Sequence, residues 1–170
     1  MKKKWLAVLL SVLMVMIPPV VRAAESETLS QATAELAANA QSVWLIFEQL
    51  HSGSLQMSDM VSASAAAAGM GGSQIYLKEG ETMSVEDLLK SVCIASANDA
   101  MAALAEKISG SQEAFVTQMN EKAEQLQLKN THFTNVSGLH DPEHYSCASD
   151  MACIASALIK EGGDELLAVT

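Results

Sequence analysis

The chain has 170 residues, of which 49% are apolar and 18% are charged. This length fits one domain with its own core, and the apolar content is too high for a disordered chain. The net charge of −10 argues against a nucleic-acid partner, because an acidic surface repels phosphates. Aromatic residues make up only 4% of the chain while methionine and alanine are frequent, a composition that favours helices.

The N-terminal segment has the pattern of a secretory signal peptide. Three lysines directly after the first methionine precede an apolar run over residues 5–17, and small residues around Ala23 offer a cleavage site. The run is shorter than the roughly 20 residues of a membrane span, although an uncleaved N-terminal anchor is the alternative. We expect a signal peptide at 1–23 and one domain at 24–170, exported to the extracellular space or the cell envelope.

Hydrophobic spacing predicts a largely helical chain. Apolar residues recur every three or four positions in the longer predicted segments, and Ser84 and Ser111 are placed as N-caps. A short alternating segment is a candidate strand, and residues 128–136 are a strand or an ordered loop. The predicted elements, in chain order, are a helix over 34–49, a short alanine-rich helix within 57–68, a strand over 74–77, and helices over 85–95, 99–108, 112–126 and 147–160.

The cysteines and histidines do not indicate a metal site. Cys93, Cys147 and Cys153 are odd in number and lack zinc-type spacing, and Cys93 has the setting of a small core residue. His140 and His144 are four residues apart, but the proline between them prevents a regular helix, so we interpret them as part of a loop, with metal binding as the alternative. No metal and no cofactor are predicted.

The tripeptide Ser96-Ala97-Asn98 lies between two predicted helices, where a hydroxyl and an amide can be presented together. Serine and asparagine at a helix junction are helix caps by default, so the tripeptide alone is a weak signal. Its sequence surroundings change that interpretation.

Several segments, in order through residues 43–160, resemble the penicillin-binding D-alanyl-D-alanine carboxypeptidases, serine peptidases that trim peptidoglycan stem peptides. The segments that carry the resemblance include GGSQIYLKEGE at 71–81, MSVEDLL at 83–89, IASANDA at 94–100, ALAE at 103–106, NTHF at 130–133 and HYS at 144–146. The resemblance implies an α/β fold of the β-lactamase and DD-peptidase type and covalent acyl transfer by an activated serine.

The family resemblance implies three motifs, of which this chain carries the middle one. By resemblance, Ser96 is the proton-relay serine of Ser-x-Asn and Asn98 is the substrate-binding amide. The Ser-x-x-Lys that supplies nucleophile and base is expected where residues 36–39 read Leu-Ala-Ala-Asn, and no serine in the chain has lysine three positions later. No Lys-Thr-Gly occurs either. The chain is therefore expected to be mainly α, the helical part of the fold with much of the central sheet missing.

Three functional hypotheses follow. The first is an exported D-alanyl-D-alanine carboxypeptidase-like serine peptidase of peptidoglycan remodelling that has lost hydrolysis, with the D-Ala-D-Ala stem peptide as its partner. The alternative is a non-catalytic helical module that binds cell-wall peptide or another wall protein, and the third is a gene fragment with no role. If the family geometry is kept, Ser96 should face a cleft beside the helix near residues 43–50. We expect Asn98 to be nearer a helix-cap role.

Overall fold

The computed structural model describes residues 19–170, with side chains from residue 27 onward. Most of the predicted signal peptide therefore lies outside the described residues. The elements within the described part are α1 (Pro19–His51), β1 (Met60–Ser62), α2 (Ala65–Ala68), β2 (Thr82–Ser84), α3 (Val85–Ala95), α4 (Asn98–Ser109), α5 (Gln112–Gln125) and α6 (Ala148–Val169).

The helices follow the predicted spacing, and two of them begin at the predicted caps. The Ser84 hydroxyl accepts the Asp87 N–H at 3.1 Å at the start of α3, and the Ser111 hydroxyl accepts the Ala114 N–H at 3.1 Å at the start of α5. Each bond satisfies a backbone donor that the first helical turn leaves unpaired. The prediction of a mainly helical chain is confirmed.

The core forms around α1 and α4: the second half of α1 packs against α6 and also contacts α4, in which every residue from Asn98 to Ala105 is buried. Val43, Ile46 and Phe47 are buried there, and α1 ends at His51, two residues before Gly53 in a left-handed conformation. The last helix, predicted over 147–160, is interrupted at Gly163, whose φ of 48° and ψ of −135° are not helical. α6 therefore consists of two helical segments that meet at a kink, and the second segment, which was not predicted, reaches Val169.

The two strands form a small antiparallel sheet in which Val61 lies opposite Met83. The short alanine-rich helix predicted within 57–68 is α2, whose four residues are capped by Ser64, and β1 occupies an earlier part of the same stretch. The predicted strand at 74–77 does not form. The backbone N–H groups of Ile75 and Leu77 donate to a buried carboxylate instead of to a neighbouring strand.

Residues 128–147 form an ordered loop held by side chains of α5 and α6. The Asn120 amide donates to the Phe133 carbonyl at 2.8 Å and accepts the Phe133 N–H at 2.9 Å. Asp150 accepts the Asn130 N–H at 2.9 Å. A single bridge joins His132 to Tyr145 within the loop. These bonds place the tip of the loop, near residue 138, against α1.

Cys93 packs against the core as predicted, and burial raises the pKa of its thiol to about 11. Cys147 and Cys153 are also free thiols. Over residues 19–170, no helix has both the length and the apolar character that crossing a bilayer requires.

Candidate functional site

The junction between α3 and α4 presents the Ser-x-Asn tripeptide. α3 ends with Ser96 in a left-handed conformation, φ 50° and ψ 42°, and its N–H donates back to the Val92 carbonyl at 3.0 Å. Ala97 is extended and buried, and α4 begins at Asn98. A non-glycine residue in this conformation is uncommon and costs energy. The turn sets the direction of the Cα–Cβ bond of Ser96.

The Ser96 side chain is exposed, and its hydroxyl makes no hydrogen bond with any residue whose side chain or backbone the structure describes. The bond that a cap would make to a backbone N–H of the next helix is not formed, because the N-cap of α4 is Ala97. Ser96 therefore offers a hydroxyl that is available to a bound molecule.

Asn98 is buried and engaged with the segment 71–73. Its Nδ2 donates to the Gly71 carbonyl at 2.8 Å, and its backbone N–H donates to the Ser73 carbonyl at 2.8 Å. The expected cap role for Asn98 is wrong. Asn98 is the first residue of α4, after the N-cap Ala97, and its side-chain amide donates to Gly71 and not to the first turn of the helix. Its Oδ1 has no hydrogen bond partner among the described residues and is not a fully buried atom, so it remains free to accept one.

Gly72 allows the close approach of this loop to Asn98. It has φ +79°, and a Cβ atom placed on it would lie 2.5 Å from Asn98 Nδ2 and 3.3 Å from Leu139 Cδ2. Any side chain at residue 72 would therefore displace the amide.

The tip of the 128–147 loop connects this region to α1. Gly138 has φ +79°, and a Cβ there would lie 2.5 Å from the Cα of Glu35. The next residue, Leu139, lies beside Gly72, and Asn135 closes the turn by accepting the Leu139 N–H at 3.0 Å. A continuous run of contacts thus joins α1 near residue 35 to Asn98. Asn135 begins a glycosylation-type tripeptide, but in the structure it builds the turn.

The segment of α1 where the Ser-x-x-Lys was expected lies at this contact. Leu36 is 54% exposed, Ala37 and Ala38 are buried, and Asn39 is half-buried. Neither a nucleophilic hydroxyl nor an amine is present at residues 36–39. Ser42 is buried and donates to the Val136 carbonyl at 2.8 Å, so it is engaged in the core.

Asp99 is the residue that sequence reasoning missed. It is fully buried, and its carboxylate accepts the N–H groups of Ile75, Leu77 and Ala100. The available signal was its position directly after Asn98 in the IASANDA segment, where the sequence predicts only the first residue of a helix over 99–108.

His140 and His144 line a separate cavity of about 590 Å³ between the first half of α1 and residues 140–145. His144 Nδ1 accepts the Thr134 N–H at 3.1 Å, and burial lowers the pKa of His144. Over the part of the chain whose side chains are described, no three histidine, cysteine or acidic residues converge as a metal site would require.

Comparison with known proteins identifies the family. The model of the D-alanyl-D-alanine carboxypeptidase family matches residues 26–170. The chain belongs to this family.

Individual relatives agree with that assignment. D-alanyl-D-alanine carboxypeptidase DacF of Bacillus subtilis is 55% identical over 116 residues, which are 68% of this chain and 30% of that protein. DacC of Escherichia coli is 40% identical over 128 residues, 72% of this chain and 32% of that protein. The chain thus spans about a third of the length of these relatives.

Solved structures show the same fold relationship. Penicillin-binding protein 5 of Haemophilus influenzae superposes with a TM-score of 0.72 at 36% identity, covering 78% of this chain and 39% of that one. Penicillin-binding protein 6B of Escherichia coli gives a TM-score of 0.71 at 34% identity, covering 78% and 43%. The predicted fold class, a helical part of the DD-peptidase fold, is confirmed.

Proposed function

We propose that this chain forms the Ser-x-Asn side of a site for peptides ending in D-Ala-D-Ala and does not itself hydrolyse them. Ser96 would be the proton-relay hydroxyl of the family, and Asn98 the amide that binds the peptide backbone. The observation that carries the proposal is the pairing of an available Ser96 hydroxyl and Asn98 Oδ1 with an α1 segment, residues 36–39, that lacks nucleophile and base.

The chemistry of acyl transfer explains the expected inactivity. A serine hydroxyl becomes a nucleophile only when a neighbouring base removes its proton. Leu36 has no atom that can attack a carbonyl, and the Asn39 amide cannot accept a proton at neutral pH. Ser96 has no amine hydrogen-bonded to it among the described residues. Binding without bond cleavage is what these residues support.

Covalent labelling tests the loss of catalysis. The purified chain is incubated with a fluorescent penicillin and run on a denaturing gel, beside an intact penicillin-binding carboxypeptidase as the labelled control. We expect no fluorescent band for this chain, because acylation needs the missing serine and lysine. A band at one label per chain would overturn the proposal.

Peptide binding tests the retained role. Titration with a peptide ending in D-Ala-D-Ala should raise the melting temperature, since a ligand that binds only the folded state stabilises it. The same peptide ending in L-Ala-L-Ala is the matched control and should give no shift. Ser96→Ala, at an exposed site, should fold normally and reduce the shift. Equal shifts with both peptides would argue for the alternative, a wall-binding module without D-Ala-D-Ala specificity. No shift with either peptide would argue for a gene fragment.

We also propose export by a signal peptide at 1–23. The support is the lysine-rich start followed by the apolar run at 5–17, and the family match that starts at residue 26, just after the expected cleavage at Ala23. Expression of the whole chain in a bacterium, with mass spectrometry of the envelope fraction, should give a product that begins at residue 24. An uncleaved product would favour the N-terminal anchor.

A further inference from the structure

The Asp99 carboxylate is a buried charge that the Ser-x-Asn motif does not explain. Oδ1 accepts the Ile75 N–H at 3.2 Å and the Ala100 N–H at 2.9 Å, and Oδ2 accepts the Leu77 N–H at 3.0 Å. None of the ion pairs among the described residues includes Asp99. Backbone donors and the positive end of α4 therefore compensate the charge.

The segment held by Asp99 has an unfavourable backbone conformation. Tyr76 lies between the two donors and has φ +62°, a left-handed value that is rare for an aromatic residue. Its side chain is 79% exposed, so burial of the ring does not offset the strain. The N–H groups on either side converge on one carboxylate, as backbone donors do around a bound anion. Asp99 is thus what keeps residues 75–77 in this shape.

The same segment supplies the carbonyl groups that hold Asn98. Gly71 and Ser73 accept the side-chain and backbone N–H groups of Asn98, both at 2.8 Å. Residues 71–77 are therefore attached to α4 twice, at one end by Asn98 and at the other by Asp99. Loss of the Asp99 contacts would free the end that is strained.

We propose that Asp99 is a positioning residue of the peptide site: its carboxylate fixes residues 71–77 so that Gly71 and Ser73 hold the Asn98 amide with Oδ1 free for a ligand. The importance of this orientation for binding rests on the proposed function. That Asp99 fixes residues 71–77 and thereby the Asn98 amide does not depend on the proposed function.

The test is Asp99→Asn in the full chain, measured by NMR amide hydrogen exchange and by titration with the D-Ala-D-Ala peptide. The asparagine has the same shape, but its NH₂ group replaces one acceptor and opposes a backbone donor. We expect exchange at Ile75, Leu77 and Asn98 to become at least about tenfold faster, and peptide affinity to fall at least about tenfold.

Asp150→Asn is the matched control. Asp150 is also a buried acid that holds a loop by accepting a backbone N–H, that of Asn130, and a hydroxyl, that of Thr131. The control should speed exchange at Asn130 while Asn98 exchange and peptide affinity stay within about twofold of the wild type. Because Asp99→Asn can impair folding, a second variant replaces the amide of Leu77 by an ester, which removes one donor and leaves Asp99 intact. It should speed exchange at Asn98 as well.

The outcomes separate the two proposals. Faster exchange at Ile75 and Leu77 with unchanged exchange at Asn98 would overturn the positioning role. An equal loss of Asn98 protection in Asp150→Asn would also overturn it, because the effect would then be general loosening. A wild-type chain that binds no peptide would refute the proposed function, while the exchange comparison still decides what Asp99 does.

Discussion

Gln41 is a polar residue at a core position of α1 that suits an apolar side chain. It is completely buried on α1, and neither its Nε2 nor its Oε1 has a hydrogen bond partner within the described residues. The adjacent Ser42 is equally buried but donates to the Val136 carbonyl at 2.8 Å. A buried amide without partners keeps the cost of losing its water and gains nothing in return.

Gln41→Met should therefore stabilise the fold. Methionine has nearly the same volume and no polar atoms, so the change removes the unsatisfied groups without leaving a cavity. We expect a gain of about 1–3 kcal/mol in the free energy of unfolding, measured by urea denaturation. Gln31→Met, at an exposed position of the same helix, is the control and should change stability by less than about 0.5 kcal/mol. A destabilised Gln41→Met would mean that the amide has a partner in solution.

A comparison of Gly72 with Gly53 distinguishes the cost of a left-handed backbone from the cost of a steric clash. Both have positive φ, +79° and +76°, but a Cβ on Gly53 would have no atom within 4 Å. Gly53→Ala should cost about 1 kcal/mol from the left-handed conformation alone. Gly72→Ala should cost about 1–3 kcal/mol more, because the methyl group meets the Asn98 amide. Equal losses in thermal denaturation would contradict the close packing of residue 72 on Asn98.

At the scale of secondary structure, local sequence signals predicted the helices. They failed at residues 74–77, where the side chain of Asp99, distant in sequence, determines the backbone conformation. α3 could be read from the sequence because Ser84, Glu86 and the apolar residues after them all favour a helix start. Residues 74–77 alternate between polar and apolar side chains as a strand does. The Asp99 carboxylate, 22 or more positions later, accepts the backbone N–H groups that a strand would donate to its neighbour. The Ser-x-Asn turn was found from the resemblance, whereas its support by Asp99 required the structure.

His51 joins the end of α1 to the second half of α6. Its Nδ1 lies 2.8 Å from Glu161 and its Nε2 lies 3.6 Å from Glu165, one on each side of the bend at Gly163. The hydrogen bond to Glu161 raises the pKa of His51 above its ordinary 6.5. The protonated ring is therefore favoured in the folded state, and its stabilisation is fully present below pH 6.5 and is lost as pH rises through the raised value.

His51→Gln should remove this part of the pH dependence. The difference in unfolding free energy between wild type and variant should be largest at pH 5.5 and vanish at pH 9, at less than about 1 kcal/mol because the pair is partly exposed. His144, whose pKa burial lowers, contributes equally to both proteins and cancels in the difference. Glu161→Gln should act similarly, and the double variant should lose less than the sum. A difference that grows with pH would contradict the pairing.

For the whole molecule, the excess of acidic groups is the dominant electrostatic feature. The net charge is −10, and the ion pairs within the described residues use few of the 20 acids. Like charges on a folded surface repel each other, and this repulsion is relieved when the chain unfolds. Salt shortens the range of the repulsion, from about 30 Å at 0.01 M to about 8 Å at 0.15 M.

The melting temperature should therefore rise when NaCl is increased from about 0.01 M to about 0.15 M. A variant with Glu121→Lys and Glu124→Lys, both exposed on α5, shifts the net charge of −10 by +4 and should respond less to salt. A melting temperature that falls with salt in the wild type would mean that its ion pairs outweigh the repulsion.

The packing of α1 on α6 also has a consequence during synthesis. About 100 residues separate the end of α1 at His51 from the start of α6 at Ala148, so the two meet only across a long closed loop. At roughly 5–20 residues per second, a ribosome needs roughly 5–20 s to make that interval. During this time the apolar face of α1, with Val43, Ile46 and Phe47, is without its last partner. We therefore expect the nascent chain to bind a holding chaperone until α6 has emerged.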